Sequence, residues 1–303
     1  MTEVIVIGGG PAGATAAFTL ARQGLPVRLV DPLGIGGQLI NVEHVPDYPG
    51  FPSGVAGWDL AASLGEAVLG AGVQLTLGRV TGLRVPAHGA TAWVVDIDGA
   101  RRTADAVLLA TGTKPTPLPG GEGLDGHGVS YCAACDGGLF HGKDVIVVGG
   151  GDIAMAEACS LAPLVHRVTV AVPGPAPDAA KAWLDAARSH TNVALLHGAI
   201  DLVVEQDDGR VSGVSYRDGD GVRRTIPAGG VFGGLPGQPA VEPAAAFAVT
   251  GDDGGLVADP SLRLGSLPGL FVAGDVRAGS ARRAVSAAGD GATAAMAIAA
   301  YLL

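Results

Sequence analysis

Val4-Ile5-Val6-Ile7 runs directly into Gly8-Gly9-Gly10-Pro11-Ala12-Gly13, and an alanine-rich stretch from Ala14 to Gln23 follows. Four apolar residues bounded by glycine read as a buried strand, and the alanine-rich stretch reads as a helix. In such a strand, turn and helix, Gly8 permits the tight turn, Gly10 lets backbone approach a pyrophosphate, and Gly13 allows close helix packing. Pro11 and Ala12 stand at the helix N-terminus, which attracts an anion. After Gly24-Leu25-Pro26 comes a second strand, Val27 to Val30, ending in Asp31. An acid about 20 residues beyond the glycines is placed to accept hydrogen bonds from an adenosine ribose. Glycine turns also arise for steric reasons alone; the ordered sequence of strand, turn, helix, strand and acid is what points to a dinucleotide.

The pattern returns at Asp144 to Val148, followed by Gly149-Gly150-Gly151-Asp152-Ile153-Ala154 and a helix through Ser160. This is an internal repeat of one nucleotide-binding unit, with Gly149, Gly151 and Ala154 as the candidate contacts of a second nucleotide. The next strand, Val168 to Val172, runs into Pro173-Gly174-Pro175-Ala176-Pro177, without an acid for a free ribose or an arginine for a 2′-phosphate. A retained scaffold with a degenerate pocket therefore stands beside a working second site. Trp93 to Ile97 and Ala106 to Leu109 read as strands completing the first domain, Lys114 to Gly121 as a proline-rich linker, and Leu270 to Ala273 as a late strand. The expected fold is α/β, with two Rossmann-like domains. Residues 1–114 and 241–303 form the first, discontinuous domain, and residues 115–240 the inserted second.

At 303 residues and 48% hydrophobic content the chain can supply a core for each domain. The net charge of −10, with no basic run, argues against nucleic acid as a partner. The start, Met1-Thr2-Glu3-Val4, lacks the basic beginning of a secretory signal, and no apolar stretch approaches the roughly 18 residues of a bilayer span without meeting Gly, Pro or charge. A cytoplasmic location and no membrane partner are expected.

Two of the three cysteines form Cys132-Ala133-Ala134-Cys135, followed by Asp136. Two intervening residues let the sulfurs close a small ring, and thiolate stabilisation in such a pair favours exchange. Asp136 could donate or accept the proton that exchange moves. The rival reading joins the pair to His127 and His141 as a tetrahedral metal site, but those histidines have no compact ligand spacing of their own; no metal is expected. Cys159 reads as a small buried apolar residue.

Together these segments resemble the low-molecular-weight thioredoxin reductase family along nearly the whole chain. Gly8-Gly9-Gly10-Pro11-Ala12-Gly13 looks like that family's FAD pyrophosphate loop, and Gly36-Gly37-Gln38-Leu39 and Asp47-Tyr48-Pro49-Gly50-Phe51 are similar to its isoalloxazine-side segments. Ala110-Thr111-Gly112, Cys132 to Gly137, and Gly274-Asp275-Val276 with Arg282-Arg283-Ala284-Val285 are close to its further motifs. The resemblance implies FAD as cofactor, held by Gly8, Gly10, Pro11, Ala12, Gly13, Asp31, Gly37, Gln38, Asp47, Thr111, Gly112, Gly274, Asp275, Arg282, Arg283 and Ala284. It implies that reduced FAD opens the Cys132–Cys135 disulfide, with Cys135 nearer the flavin, and that the dithiol then reduces a thioredoxin-like protein. A homodimer and a rotating inserted domain are also implied.

Where members that use NADPH carry arginines, this chain has Val172-Pro173-Gly174-Pro175, which supplies no guanidinium for a 2′-phosphate. NADP(H) is thus not fixed as donor, and ferredoxin or a small dithiol stands beside it. Three functions follow from the residues: a disulfide reductase, an oxygen-dependent dithiol oxidase running in reverse, and a non-catalytic flavin redox sensor.

Overall fold

The computed structural model describes residues 3–86, 92–265 and 267–303; Met1 and Thr2, part of the stretch read against a leader, lie outside them. The chain divides into two compact units, residues 1–114 with 238–303, and residues 115–237. It builds the first half of unit 1 from β1 (Val4–Ile7), α1 (Pro11–Arg22), β2 (Val27–Asp31), α2 (Gly57–Gly70), β3 (Gln74–Leu77), β4 (Val80–Arg84), β5 (Trp93–Ile97), β6 (Ala100–Ala104), β7 (Ala106–Leu109) and β8 (Thr113–Lys114). Unit 2 holds β9 (Val129–Ser130), α3 (Ala133–Asp136), β10 (Asp144–Val148), α4 (Asp152–Leu161), β11 (Arg167–Ala171), α5 (Lys181–Ser189), β12 (Val193–Leu196), β13 (Ile200–Asp207), β14 (Arg210–Arg217), β15 (Arg223–Pro227) and β16 (Gly230–Gly233). Unit 1 resumes with β17 (Gln238–Pro239), β18 (Leu270–Val272) and α6 (Ala284–Leu302).

Each unit is organised on a five-stranded parallel sheet, β18-β7-β1-β2-β3 in unit 1 and β12-β11-β10-β16-β9 in unit 2. The central strands β1 and β10 are buried on both faces, which is why they read as unbroken apolar runs rather than alternating ones. A three-stranded antiparallel sheet accompanies each, β4-β5-β6 and β13-β14-β15. This is the doubly wound α/β arrangement with two Rossmann-like units.

Helix α1 starts three residues before the alanine-rich stretch suggests, because Pro11 occupies its first turn, where a missing N–H removes nothing. Helix α6 begins at Ala284, two residues after Arg282, which adopts a left-handed φ of 53°. Among the described residues α6 is the one helix long and apolar enough to cross a bilayer by length and composition. The sequence offers helix-forming residues from Arg282 onward, and the helix runs straight through Gly289, Asp290 and Gly291. Its buried face, Ala287, Gly291, Ala294, Ala295 and Ile298, belongs to the core with Ala12, Ala16 and Leu20 of α1.

That contact depends on a missing side chain. A Cβ on Gly291 would lie 2.1 Å from the Ala12 carbonyl oxygen, against backbone that cannot yield. Gly291→Val is expected to lower stability to urea by about 1–3 kcal/mol through overpacking. Gly289→Ala, on the same helix but with nothing within 4 Å, is expected to hold or raise it, by up to about 1 kcal/mol; equal losses from both would refute the close approach as the cause.

Candidate functional site

The first cluster of candidate residues lies in unit 1, around the turn that joins β1 to α1. Gly8 has φ of 109°, and a Cβ there would meet the Ala110 carbonyl oxygen at 2.2 Å, so the turn requires glycine. Gly10 is the N-cap of α1 and no side chain caps that helix, which leaves its first amides for an anion. Asp31 closes the turn from β2: its carboxylate accepts hydrogen bonds from the Gly9 N–H at 2.8 Å, the Leu33 N–H at 2.8 Å and the Gly34 N–H at 3.0 Å. A carboxylate has about four acceptor positions, so one remains for a ribose hydroxyl.

Further candidates converge on this turn. The Gly36 N–H donates to the Gly9 carbonyl at 2.8 Å, and Gly37 lies so close to Gly10 that a Cβ on it would stand 2.7 Å from the Gly10 Cα. A Cβ on Gly274 would stand 2.8 Å from the Ala12 Cβ, which places the late segment against the first. Gln38 donates to the Thr113 carbonyl at 3.2 Å, the Thr111 hydroxyl donates to the Ala240 carbonyl at 2.7 Å, and the Ala240 N–H donates to the Gly112 carbonyl at 2.9 Å. Asp47 and Arg283 meet each other at 3.7 Å, and Ala284 packs beside Leu39 and Leu60. The Ser280 hydroxyl links this segment, donating to Asp275 at 2.8 Å and accepting from the Arg282 N–H at 3.1 Å. Burial pushes the Asp275 carboxyl up, against the lowering effect of Ser280 and the neighbouring arginines.

Sequence reading missed the ion pair that holds this segment. Asp290 of α6 accepts from the Arg277 Nε at 2.5 Å and Nη2 at 3.1 Å, and also from the Gly274 N–H at 3.1 Å. The fork of two parallel bonds fixes orientation as well as distance. A carboxylate inside an otherwise apolar helix was the available signal.

The second cluster lies in unit 2. Cys132 and Cys135 are joined as a disulfide, with Cα atoms 5.3 Å apart. Cys132 is buried and Cys135 exposed. Cys132 is the N-cap of α3, its Sγ accepting from the Cys135 N–H at 3.1 Å. The buried Ser130 at the end of β9 accepts from the Cys132 N–H at 3.1 Å and donates its hydroxyl to Asp136 Oδ2 at 2.6 Å. Cys159 is half-buried on α4 rather than fully enclosed, packed against the apolar cluster around Met155 and Leu161.

Glu157 of α4 is the residue the sequence did not single out. Its carboxylate accepts from the Ala133 N–H, the first amide of α3, at 2.6 Å. Burial raises its pKa to about 7, opposed by that same hydrogen bond. It falls three residues after Ala154 and four before Leu161, both buried, so an acid at core-facing helical spacing was the visible sign.

The pH consequence has a definite sign. A carboxyl whose pKa rises from 4.5 to about 7 on folding favours the folded state while protonated. That contribution is complete below pH 4.5 and is lost as pH climbs through 7. Glu157→Gln is expected to remove this fall, whose size is on the order of 3 kcal/mol at most. Urea unfolding at pH 5 and pH 8 checks it: parallel pH responses of the two proteins would refute the assignment to Glu157.

FAD, the group these glycine turns suit, fits unit 1 on structural grounds: an uncapped helix N-terminus, a glycine approach that no side chain could allow, and an acid with acceptor capacity left. Comparison with known proteins agrees. A match to the pyridine nucleotide-disulphide oxidoreductase family spans residues 2–291. The chain is 35% identical to a thioredoxin reductase of Streptomyces clavuligerus, over 99% of this chain and 94% of that protein. It is 34% identical to one of Listeria monocytogenes, over 95% and 90%. The crystal structure of Lactococcus lactis thioredoxin reductase superposes with a TM-score of 0.93 at 29% identity, covering 100% of this chain and 99% of that one. With the fold, the glycine turns and the cysteine pair already in place, these matches make the chain a member of the pyridine nucleotide-disulphide oxidoreductase family, a flavin-dependent disulfide oxidoreductase of the thioredoxin reductase kind that uses FAD.

Proposed function

We propose that the chain reduces a disulfide on a small thioredoxin-like protein, using Cys132 and Cys135 as the relay between FAD and that partner. The observation that carries this reading is the Cys132–Cys135 disulfide, seated at the start of α3 beside an aspartate whose carboxylate is held by Ser130. Bound FAD supplies two-electron reduction of a disulfide. Glycines 8, 10 and 13 and Asp31 bind it, and Gly37, Gln38, Thr111, Gly112, Gly274, Asp275 and the Arg282–Ala284 segment complete its surroundings.

The chemistry balances at the sulfurs. Two electrons and two protons convert the Cys132–Cys135 disulfide to a dithiol. One thiolate then attacks the partner disulfide, forming a mixed disulfide and releasing one partner thiol. The second cysteine of the pair attacks its neighbour, breaking the mixed bond, freeing the other partner thiol and restoring the starting disulfide. Asp136 supplies and recovers the proton at the departing sulfur, and Ser130 holds its carboxyl in place. An iron–sulfur protein of the ferredoxin class is the proposed electron donor, since Val172-Pro173-Gly174-Pro175 offers no arginine to a 2′-phosphate. A homodimer and a cytoplasmic setting accompany this reading.

The same segment favours a second reading, in which a small dithiol reduces the pair and electrons leave through the flavin to oxygen. Anaerobic titration of the yellow protein separates them: bleaching by reduced ferredoxin supports the reductase, and bleaching by a small dithiol alone supports the oxidase. Cys135→Ser is expected to abolish multiple turnovers in either direction, and retained turnover would sink the relay. Asp136→Asn is expected to lower the rate about 10²–10⁴-fold, the range for loss of a positioned acid–base group, in a stopped-flow measurement of thiol exchange.

A further inference from the structure

Cys132 is held through the peptides on either side of it. Its own N–H donates to the Ser130 hydroxyl at 3.1 Å, and the following N–H, that of Ala133, donates to Glu157 Oε2 at 2.6 Å. Ser130 ends β9 and Glu157 lies on α4, so two separate elements fix the residue that carries the buried sulfur. The other acid of this cluster, Asp136, accepts from the Ser130 hydroxyl at 2.6 Å.

A carboxylate is a costly group for this task. A glutamine would accept the same N–H with no charge to desolvate. The elements packed against α4 bring no cation to it. On β10 Asp144 meets His166, on α5 Lys181 meets Asp185 and Arg188 is exposed, and on β11 Arg167 is exposed. Helix α3 brings the cysteine pair and Asp136, and α4 itself adds Asp152, which accepts from the Ala180 N–H, and the Cys159 thiol. The influences on the Glu157 carboxyl are burial, which raises its pKa, and the Ala133 N–H, which lowers it.

Opening the disulfide changes these surroundings. Two electrons from reduced flavin break the S–S bond, and the sulfurs take up two protons as thiols, or one when Cys132 stays a thiolate. That thiolate would sit on the residue whose next amide is held by the Glu157 carboxylate, and neighbouring like charges raise each other's proton affinity. We propose that Glu157 is a positioning residue for the redox pair: through the Ala133 N–H it holds Cys132 in place, and its ionised carboxylate restrains formation of the Cys132 thiolate. The restraint is reciprocal, so a thiolate in turn favours a proton on Glu157. Because the carboxyl titrates at about 7 with the disulfide closed, the restraint is absent well below that pH and full above it. The inference deepens the relay reading, on which it rests for the use of a Cys132 thiolate.

The test is alkylation of Cys132 by iodoacetamide at pH 6 and pH 8 in the full-length, FAD-loaded Cys135→Ser protein, with the modified peptide quantified by mass spectrometry. The thiolate displaces iodide, so the rate follows the thiolate population. Adding Glu157→Gln, which can still accept from the Ala133 N–H, is expected to leave the rate at pH 6 within twofold and to raise it about threefold at pH 8. A thiol pKa lowered by one unit raises the thiolate fraction about tenfold, and the weaker nucleophilicity of the more acidic thiol takes back about half of that on a logarithmic scale. Adding Glu157→Ala, which removes the hold as well, is expected to speed alkylation at both pH values. Equal effects of Glu157→Gln at pH 6 and pH 8 would overturn the charge role, and an alanine variant no faster than the glutamine variant would overturn the hold on Cys132. Flavin absorbance verifies that each variant is folded. The Cys135→Ser protein with Glu157 intact gives a second check: its logarithmic rate is expected to flatten around pH 7, and a straight line of unit slope from pH 6 to pH 8 would overturn the inference. Alkylation needs no partner. In a separate assay dithionite-reduced wild type is offered a thioredoxin disulfide, and failure to reduce it overturns the reductase reading alone.

Discussion

At the end of β1 the chain must leave a parallel sheet and enter a helix within a single turn, beside a neighbouring strand whose carbonyl stands where a side chain would go. Gly8 meets that constraint, its amide bonded to Val30 and its missing Cβ yielding to the carbonyl of Ala110. The same solution recurs at Gly149, where the obstructing carbonyl belongs to Gly234. This close approach sets the entry into α1 and α4, two helices whose first amides no side chain caps.

Because the constraint is local, it was legible in the sequence. Val4 to Ile7 and Asp144 to Val148 were identifiable as central strands from their unbroken apolar character, and glycines fixed the turns. The cysteine pair was visible from its spacing. What escaped notice involves partners distant in the chain. Glu157 meets Ala133 across 24 residues, and Gly274 meets Asp290 across 16. No periodicity announces such pairings, although each acid interrupts an apolar helix face, and that interruption is a usable sign. Within helix α6 the reasons for two residues were likewise out of view: Gly291 answers a packing demand from α1, and Asp290 an arginine.

The surroundings of the cysteine pair illustrate how few groups organise a reactive element. Helix α3 spans only Ala133–Asp136, too short to be stable by itself. Its amides are claimed individually, by Glu157, by Cys132 Sγ and by the Cys132 carbonyl, and its last side chain is held by Ser130. The turn is thus positioned by side chains of α4 and β9, and the geometry of the sulfurs derives from the sheet behind them. A buried Cys132 and an exposed Cys135 make the two ends of the disulfide chemically unequal before any partner arrives.

Strands β8 and β17 consist of two residues each, and they pair antiparallel with Lys114 opposite Gln238. Directly opposed residues in such a ladder have Cα atoms about 5 Å apart, and a salt bridge between Lys114 and Glu242 reinforces the join. From the standpoint of unit 1, the whole of residues 115–237 is a single excursion whose ends are already closed. The entropy of closing a loop grows only with the logarithm of its length. An ancestral flavin-binding unit could therefore have accepted a second folded unit at this ribbon with little change in its own stability, and an unrelated insert with ends equally close would meet the same tolerance.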